Sequence, residues 1–393
     1  MGLRVSRIDT MLVDRCPENP NWAPVLCRVF ADDGTYGDGE AAVAFACGAR
    51  AAFGALQDIA GLALGQDPLD IPAVWERVYN ESFWCLNGGL AHMAALSAID
   101  MALWDLKGKA CGKSVAELLG GARRCDLPAY ASQLQNGWGT GRQAARSPED
   151  YARNALKAVD QGYETVKIDF LAHRPGAGHY EFVETGRPSA EVLDVFRERI
   201  EAVREAVGPK VGIAVEGHAV LDAVGAVAVG RISQEYDALF FEEPTASYVG
   251  DIRAVREAVD VPIALGERLY SCGQYLPFLE EGLVQIVQPD AGTVGGISEL
   301  VRVSRLAQRF GSAVMPHDCG TPVLNAATLH IEASLPEETL HEHHVNNLHE
   351  YNRRLATRSF EPCDGRICVP EGPGLGTEIS DYALAHARHV VIE

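Results

Sequence analysis

The stretch VGIAVEGH, residues 211–218, is a short apolar run that ends on an acid, a glycine and a histidine. Four later segments repeat the pattern: ALFFEEP (238–244), PIALGER (262–268), LVQIVQPD (283–290) and SAVMPH (312–317). A continuous apolar run of this length reads as a strand buried on both faces, as in a parallel sheet, and the polar residues that close it mark an active C-terminal tip. The closing residues Glu216, Glu242, Glu267, Asp290, His317 and Glu342 follow one another at 26, 25, 23, 27 and 25 residues. One strand–helix unit occupies about that length, and closing such units into a barrel brings all six tips to one rim.

The alternation extends backwards. YETVKI (163–168) is followed by the amphipathic VLDVFRERIEAVREAV (192–207) and then by VGIAVEGH, so strand and helix alternate from about Pro128 onward. Upstream the texture differs. Residues 3–14 and 24–31 alternate like antiparallel strands around Asp33-Gly34 and Gly37-Asp38-Gly39, and Leu90, Met93, Leu96, Ile99, Leu103 and Leu106 recur at helical spacing. The expected class is therefore α/β, with a small α+β unit over residues 1–125 and a barrel over 126–362. The turn-rich tail, 363–393, is expected to return to the first unit.

Composition limits the partners. Of 393 residues 47% are apolar and 22% charged, which suits a large buried core. Lys plus Arg number 34 against 54 Asp plus Glu, a balance of −20 that repels nucleic acid and anionic membrane surfaces. The opening MGLRVSRIDTMLV reads as a strand, and no stretch offers the roughly eighteen uninterrupted apolar residues of a membrane span. Ten cysteines occur singly without a CxxC pair, which fits a reducing compartment, so a cytoplasmic protein is expected.

Glu216, Glu242 and Glu267 would repel one another on neighbouring tips unless a cation sat among them. Oxygen donors select magnesium, calcium or manganese over zinc. Asp290 and His317 fall on adjacent tips, where a carboxylate can fix the tautomer of an imidazole and stabilise its protonated form, as a general base requires. His218 stands two residues after Glu216, so an extended strand would turn both toward the barrel mouth.

SAIDMALWDLKGKACGKSVAELLGG (97–121), GERLYS (266–271), QPDAGTVGG (288–296), PHDCGTPV (316–323) and VPEGPGLG (369–376) resemble the enolase superfamily, in its mandelate racemase subgroup. The likeness runs over nearly the whole chain. It implies a (β/α)7β barrel under an N-terminal α+β capping domain, with Mg2+ held by Glu216, Glu242 and Glu267. It also implies catalysis by the Asp290–His317 pair and by Glu342, which in the family hydrogen-bonds the reacting carboxylate. Two departures narrow the reaction. Where relatives with a lysine base read Lys-x-Lys, this chain reads Lys167-Ile168-Asp169, which weakens racemisation; Lys167 and Asp169 are expected to contact substrate instead. Glu216-Gly217-His218 resembles the Asp-x-His of galactonate- and gluconate-type sugar-acid dehydratases, which implies that His218 protonates the departing 3-hydroxyl.

The expected function is thus Mg2+-dependent dehydration of a sugar acid to a 2-keto-3-deoxy acid, with an epimerase, racemase or cycloisomerase using the same enediolate as the alternative. A non-catalytic sugar-acid-binding barrel is the second alternative. The resemblance makes PENPNWAPV (17–25) a lid with Asn21 and Trp22 facing substrate, and barrels of this kind commonly form homo-oligomers. His341, His343 and His344 are expected on a loop after the last strand, as surface or supporting residues rather than zinc ligands. Gly292, Gly295 and Gly296 are expected to permit close packing and not to bind a dinucleotide.

Overall fold

The computed structural model describes residues 2–17, 19–173 and 186–393. Strands β1 (Val5–Val13), β2 (Val25–Ala31) and β3 (Tyr36–Ala41) form an antiparallel meander. Its inner face, with Ile8, Val25 and Val29, packs on Leu56, Ile59, Leu96, Ile99 and Leu103 of the helices that follow. The closest approach is at glycine. A Cβ on Gly39 would lie 2.1 Å from the carbonyl oxygen of Ala98, so only a residue without one lets β3 sit directly on the helix Leu90–Cys111. That helix ends at Gly112, whose φ of +63° is left-handed, and a Ser114 capping box starts the short helix Val115–Leu118.

Eight parallel strands follow: β4 (Asp126–Ser132), β5 (Thr165–Ile168), β6 (Gly212–Glu216), β7 (Phe240–Glu242), β8 (Ile263–Leu265), β9 (Ile286–Val287), β10 (Ala313–Val314) and β11 (His341–His344). Each pairs with the next from β4 to β10, and β11 returns to pair with β4. Seven helices alternate with them, giving the (β/α)7β order. Between β10 and β11 the seam is closed by side chains: Thr339 donates to the Val314 carbonyl at 2.6 Å, and Glu342 accepts from the Asp318 N–H at 3.0 Å. Tyr130, Ala214, Phe240, Ala264 and Met315 fill the interior. The tail supplies β12 (Arg366–Cys368), antiparallel to β4, and β13 (Ala387–Ile392), antiparallel to β1. No described helix is long and apolar enough to cross a membrane.

His341, His343 and His344 lie on β11 itself and are buried, not on a loop beyond it. Alternation along the strand explains their separate fates. His341 pairs with Glu332 at 2.9 Å and His343 stacks on Tyr163, both among the outer helices, while His344 faces the barrel mouth.

The opening unit grips the barrel through buried acids aimed at helix N-termini. Glu40 accepts from the N–H and hydroxyl of Thr321 and from the Leu324 N–H, and Asp100 accepts from the N–H and hydroxyl of Ser298. Orphan amides and the helix dipole favour a carboxylate there. The glycines expected to permit close packing stand at this junction: a Cβ on Gly292 would lie 2.3 Å from that of Ala42, and one on Gly296 2.2 Å from a carboxyl oxygen of Asp100. Burial pushes the Glu40 carboxyl up to about 7, against the lowering effect of its Thr321 and Leu324 donors.

An acid raised on folding binds its proton more tightly in the folded state. Its stabilising contribution is therefore complete below about pH 4.5 and is lost as pH rises to about 7, amounting to about 3 kcal/mol for a group this buried. Urea unfolding of wild type and Glu40→Gln should show a stability difference that shrinks by roughly this amount between those two pH values. A difference that stays flat contradicts the assignment.

Candidate active site

The tips of β5, β6, β7 and β11 crowd three carboxylates around one ammonium. Glu216 and Glu242 are directly paired residues of adjacent strands, so their side chains emerge side by side. Lys167 Nζ lies 2.8 Å from Glu342 and 3.4 Å from Glu216, with a shorter contact to Glu242, and all four side chains are buried. Gln288 donates to Glu242 at 2.7 Å, and the Ser132 hydroxyl to Glu342. One ammonium does not neutralise three acids. Burial first, then repulsion from Glu216, drives the Glu242 carboxyl well above its ordinary range. Burial opposes charge on Glu216 too, but His218, Lys167 and a hydrogen bond shared with Glu242 outweigh it and hold that carboxyl down at about 2. The pair therefore shares a proton.

Two carboxylate–imidazole pairs stand at this rim. Asp290 Oδ2 lies 2.7 Å from His317 Nδ1, and Asp169 Oδ2 lies 2.8 Å from His218 Nδ1. The first spans the tips of β9 and β10 and the second those of β5 and β6, half a turn apart in the strand order. Desolvation acts against charge on His317, but Glu342 and Asp290 prevail and raise it to about 9. His218 is likewise raised, by Glu216 and Asp169 acting against its burial. Both rings line one cavity of about 720 Å3 that lies between the barrel mouth and the loops of the opening unit. Asn19, Asn21, Asn136 and Asn346 add four amides to its wall, and Val43, Phe45 and Leu90 an apolar side.

Residues 21–120 match the family described as Mandelate racemase / muconate lactonizing enzyme, N-terminal domain, and residues 150–383 match Enolase C-terminal domain-like. The chain belongs to the enolase superfamily. Within its mandelate racemase group, the chain is 32% identical over 387 residues to D-gluconate dehydratase of Thermoproteus tenax, covering 98% of this chain and 74% of that protein. It is 30% identical over 379 residues to D-galactonate dehydratase of Xanthomonas oryzae pv. oryzae strain PXO99A, covering 94% of this chain and 91% of that one. A solved structure from Zymomonas mobilis ZM4, described as a candidate dehydratase, is 40% identical, with both chains covered in full (100%) and a TM-score of 0.96.

Enolase-superfamily membership accounts for the rim, but several side chains lie elsewhere than expected. Glu267 does not join Glu216 and Glu242; it lies 3.1 Å from His317 Nε2 and is bound by Arg268. Among the described residues no three His, Cys, Asp or Glu side chains are gathered as they stand to hold a metal ion. His218 is not on an extended strand: its φ is +48°, and its N–H turns back to Glu216 at 2.8 Å. Asn21 lines the cavity, whereas Trp22 is 1% exposed and packs into the core. Glu18 of the lid segment lies outside the described residues. Lys167 and Asp169 stand behind the cavity wall with their charges engaged by protein, and Glu342 accepts three protein donors. The sequence reading missed Gln133, whose amide reaches His218 at 3.3 Å, and Gln288, which a strand period of two places on the same side as Asp290.

Replacing Lys167 by methionine leaves three buried acids without their cation. Metal-free Lys167→Met should lose about 3–5 kcal/mol of unfolding free energy in denaturant titration. A loss below about 1 kcal/mol would show that the carboxyls are neutralised in some other way.

Proposed function

We propose that this enzyme dehydrates a sugar acid, an aldonate or a similar polyhydroxy acid, to a 2-keto-3-deoxy acid in a Mg2+-dependent reaction. The observation that carries the reading is the pair of carboxylate-held imidazoles, His317 and His218, facing one cavity from opposite sides of the rim. Dehydration beside a carboxylate needs one group to take a proton from C2 and another to give one to the 3-hydroxyl. The names of the relatives at 32% and 30% identity support the same reaction class.

The donor set suits a hard divalent cation. Glu216 and Glu242 share a proton in its place, and Glu216 Oε2 is buried without a hydrogen-bond partner. Glu216, Glu242 and Glu267 would hold Mg2+, which supplies positive charge against the anion that develops on the substrate carboxylate.

The chain's own residues then divide the work. His317, with Nδ1 fixed by Asp290, takes the C2 proton on Nε2, and the electrons of that bond pass into the enediolate. His218 gives its proton to the 3-hydroxyl as the C3–O bond breaks, so the group leaves as water. The remaining enol takes a proton at C3 and becomes the ketone. Lys167, anchored by Glu342, balances the buried acids, and the asparagine amides suit a chain of hydroxyls. The same two imidazoles also suit a two-base epimerisation, which returns an isomer and releases no water.

Purified protein with Mg2+ should convert at least one acid from an aldonate and aldarate library into a 2-keto acid. His317→Asn should reduce both turnover and C2 deuterium exchange by at least about 10^3-fold while keeping the thermal shift that Mg2+ induces. An isomeric product, or exchange that persists in the variant, contradicts the proposal.

A further inference from the structure

Asp169 begins the loop after β5, is 2% exposed, and has both carboxylate oxygens committed. One accepts from the backbone N–H groups of Leu171 and Ala172 at 2.8 and 3.0 Å, and the other lies 2.8 Å from His218 Nδ1. Its own N–H is held by Gln135 at 3.2 Å. The carboxylate is thus anchored independently of the histidine it meets.

His218 is anchored from its other side. It and Ala219 both have left-handed backbones, φ +48° and +60°, a conformation that costs about 1–2 kcal/mol for a residue with a Cβ. Strain of this kind persists where surrounding contacts over-determine a geometry, and here the His218 N–H bond to Glu216 and the Asp169 contact do so. With Nδ1 on Asp169, Nε2 is the nitrogen left to the cavity, where Gln133 stands 3.3 Å away.

We infer that Asp169 is a positioning residue that keeps a proton on His218 Nδ1 and so directs Nε2 to the substrate's leaving hydroxyl. This rests on the dehydratase reading and deepens it. The site then holds two matched devices, Asp290 setting the base and Asp169 setting the acid.

Asn at position 169 separates this role from a structural one. Its carbonyl oxygen can keep the bonds from Leu171 and Ala172, which turns its NH2 toward His218. A donor there obliges Nδ1 to accept and moves the ring proton to Nε2. Asp169→Asn and His218→Asn are compared with wild type on an accepted sugar acid in D2O. Both variants should lose dehydration by about 10^2–10^4-fold yet still place deuterium at C2, at rates within about threefold of each other, because His317 is untouched. Loss of exchange in Asp169→Asn alone, or unchanged dehydration, overturns the inference. Imidazole 15N spectra of histidine-labelled protein give an independent arm: Nδ1–H in wild type giving way to Nε2–H in Asp169→Asn supports the pairing, and an unchanged tautomer overturns it. If no sugar acid exchanges in wild type or either variant, the dehydratase reading fails, and these spectra still decide the Asp169–His218 pairing.

Discussion

The rim depends on one buried ammonium, Lys167, set among Glu216, Glu242 and Glu342 with no exposure to water. Parallel register leaves the chain little freedom here. Paired residues of β6 and β7 must stand side by side, so a carboxylate on each tip creates repulsion that something positive has to offset. Burying the charges raises the penalty for any pair left unmatched, which is why Ser132, Gln288 and the Asp318 N–H are drawn in to satisfy remaining lone pairs. One of these, the Asp318 contact to Glu342, also bridges the open seam between β10 and β11. The electrostatics of the site and the closure of the barrel are therefore a single arrangement.

The opening unit is fitted to the same rim by a similar device. Glu40 and Asp100 place buried carboxyls on helix N-termini of the barrel, at a junction where Gly292 and Gly296 leave no room for a side chain. Loops of that unit consequently overhang the mouth, and the cavity has the barrel's imidazoles and acids on one side and Asn21, Val43 and Phe45 on the other. Chemistry belongs to the barrel tips, while the shape that a substrate meets is shared.

Much of this was legible in the sequence because barrel strands end at regular intervals. The spacing of Glu216, Glu242, Asp290, His317 and Glu342 places them on successive tips, and the adjacency of two tips accounts for the Asp290–His317 contact. What spacing does not contain is the choice each side chain makes among several neighbours. Glu267 is on its expected tip but turns to His317 and Arg268, and Lys167 reaches across the barrel interior to acids on three other strands. Backbone departures are also hidden: a strand period assigns His218 to an extended conformation, while the left-handed turn that aims it needs contacts from β5. Trp22 shows the same limit, since a family lid predicts its neighbourhood but packing decides which way the indole turns.

The central claim is that the C3–O bond breaks after the C2 proton is removed. Turnover of an accepted sugar acid carrying 18O in its 3-hydroxyl tests this directly. The account predicts that all of the label appears in water and none in the 2-keto product; label retained at C3 of the product would contradict it.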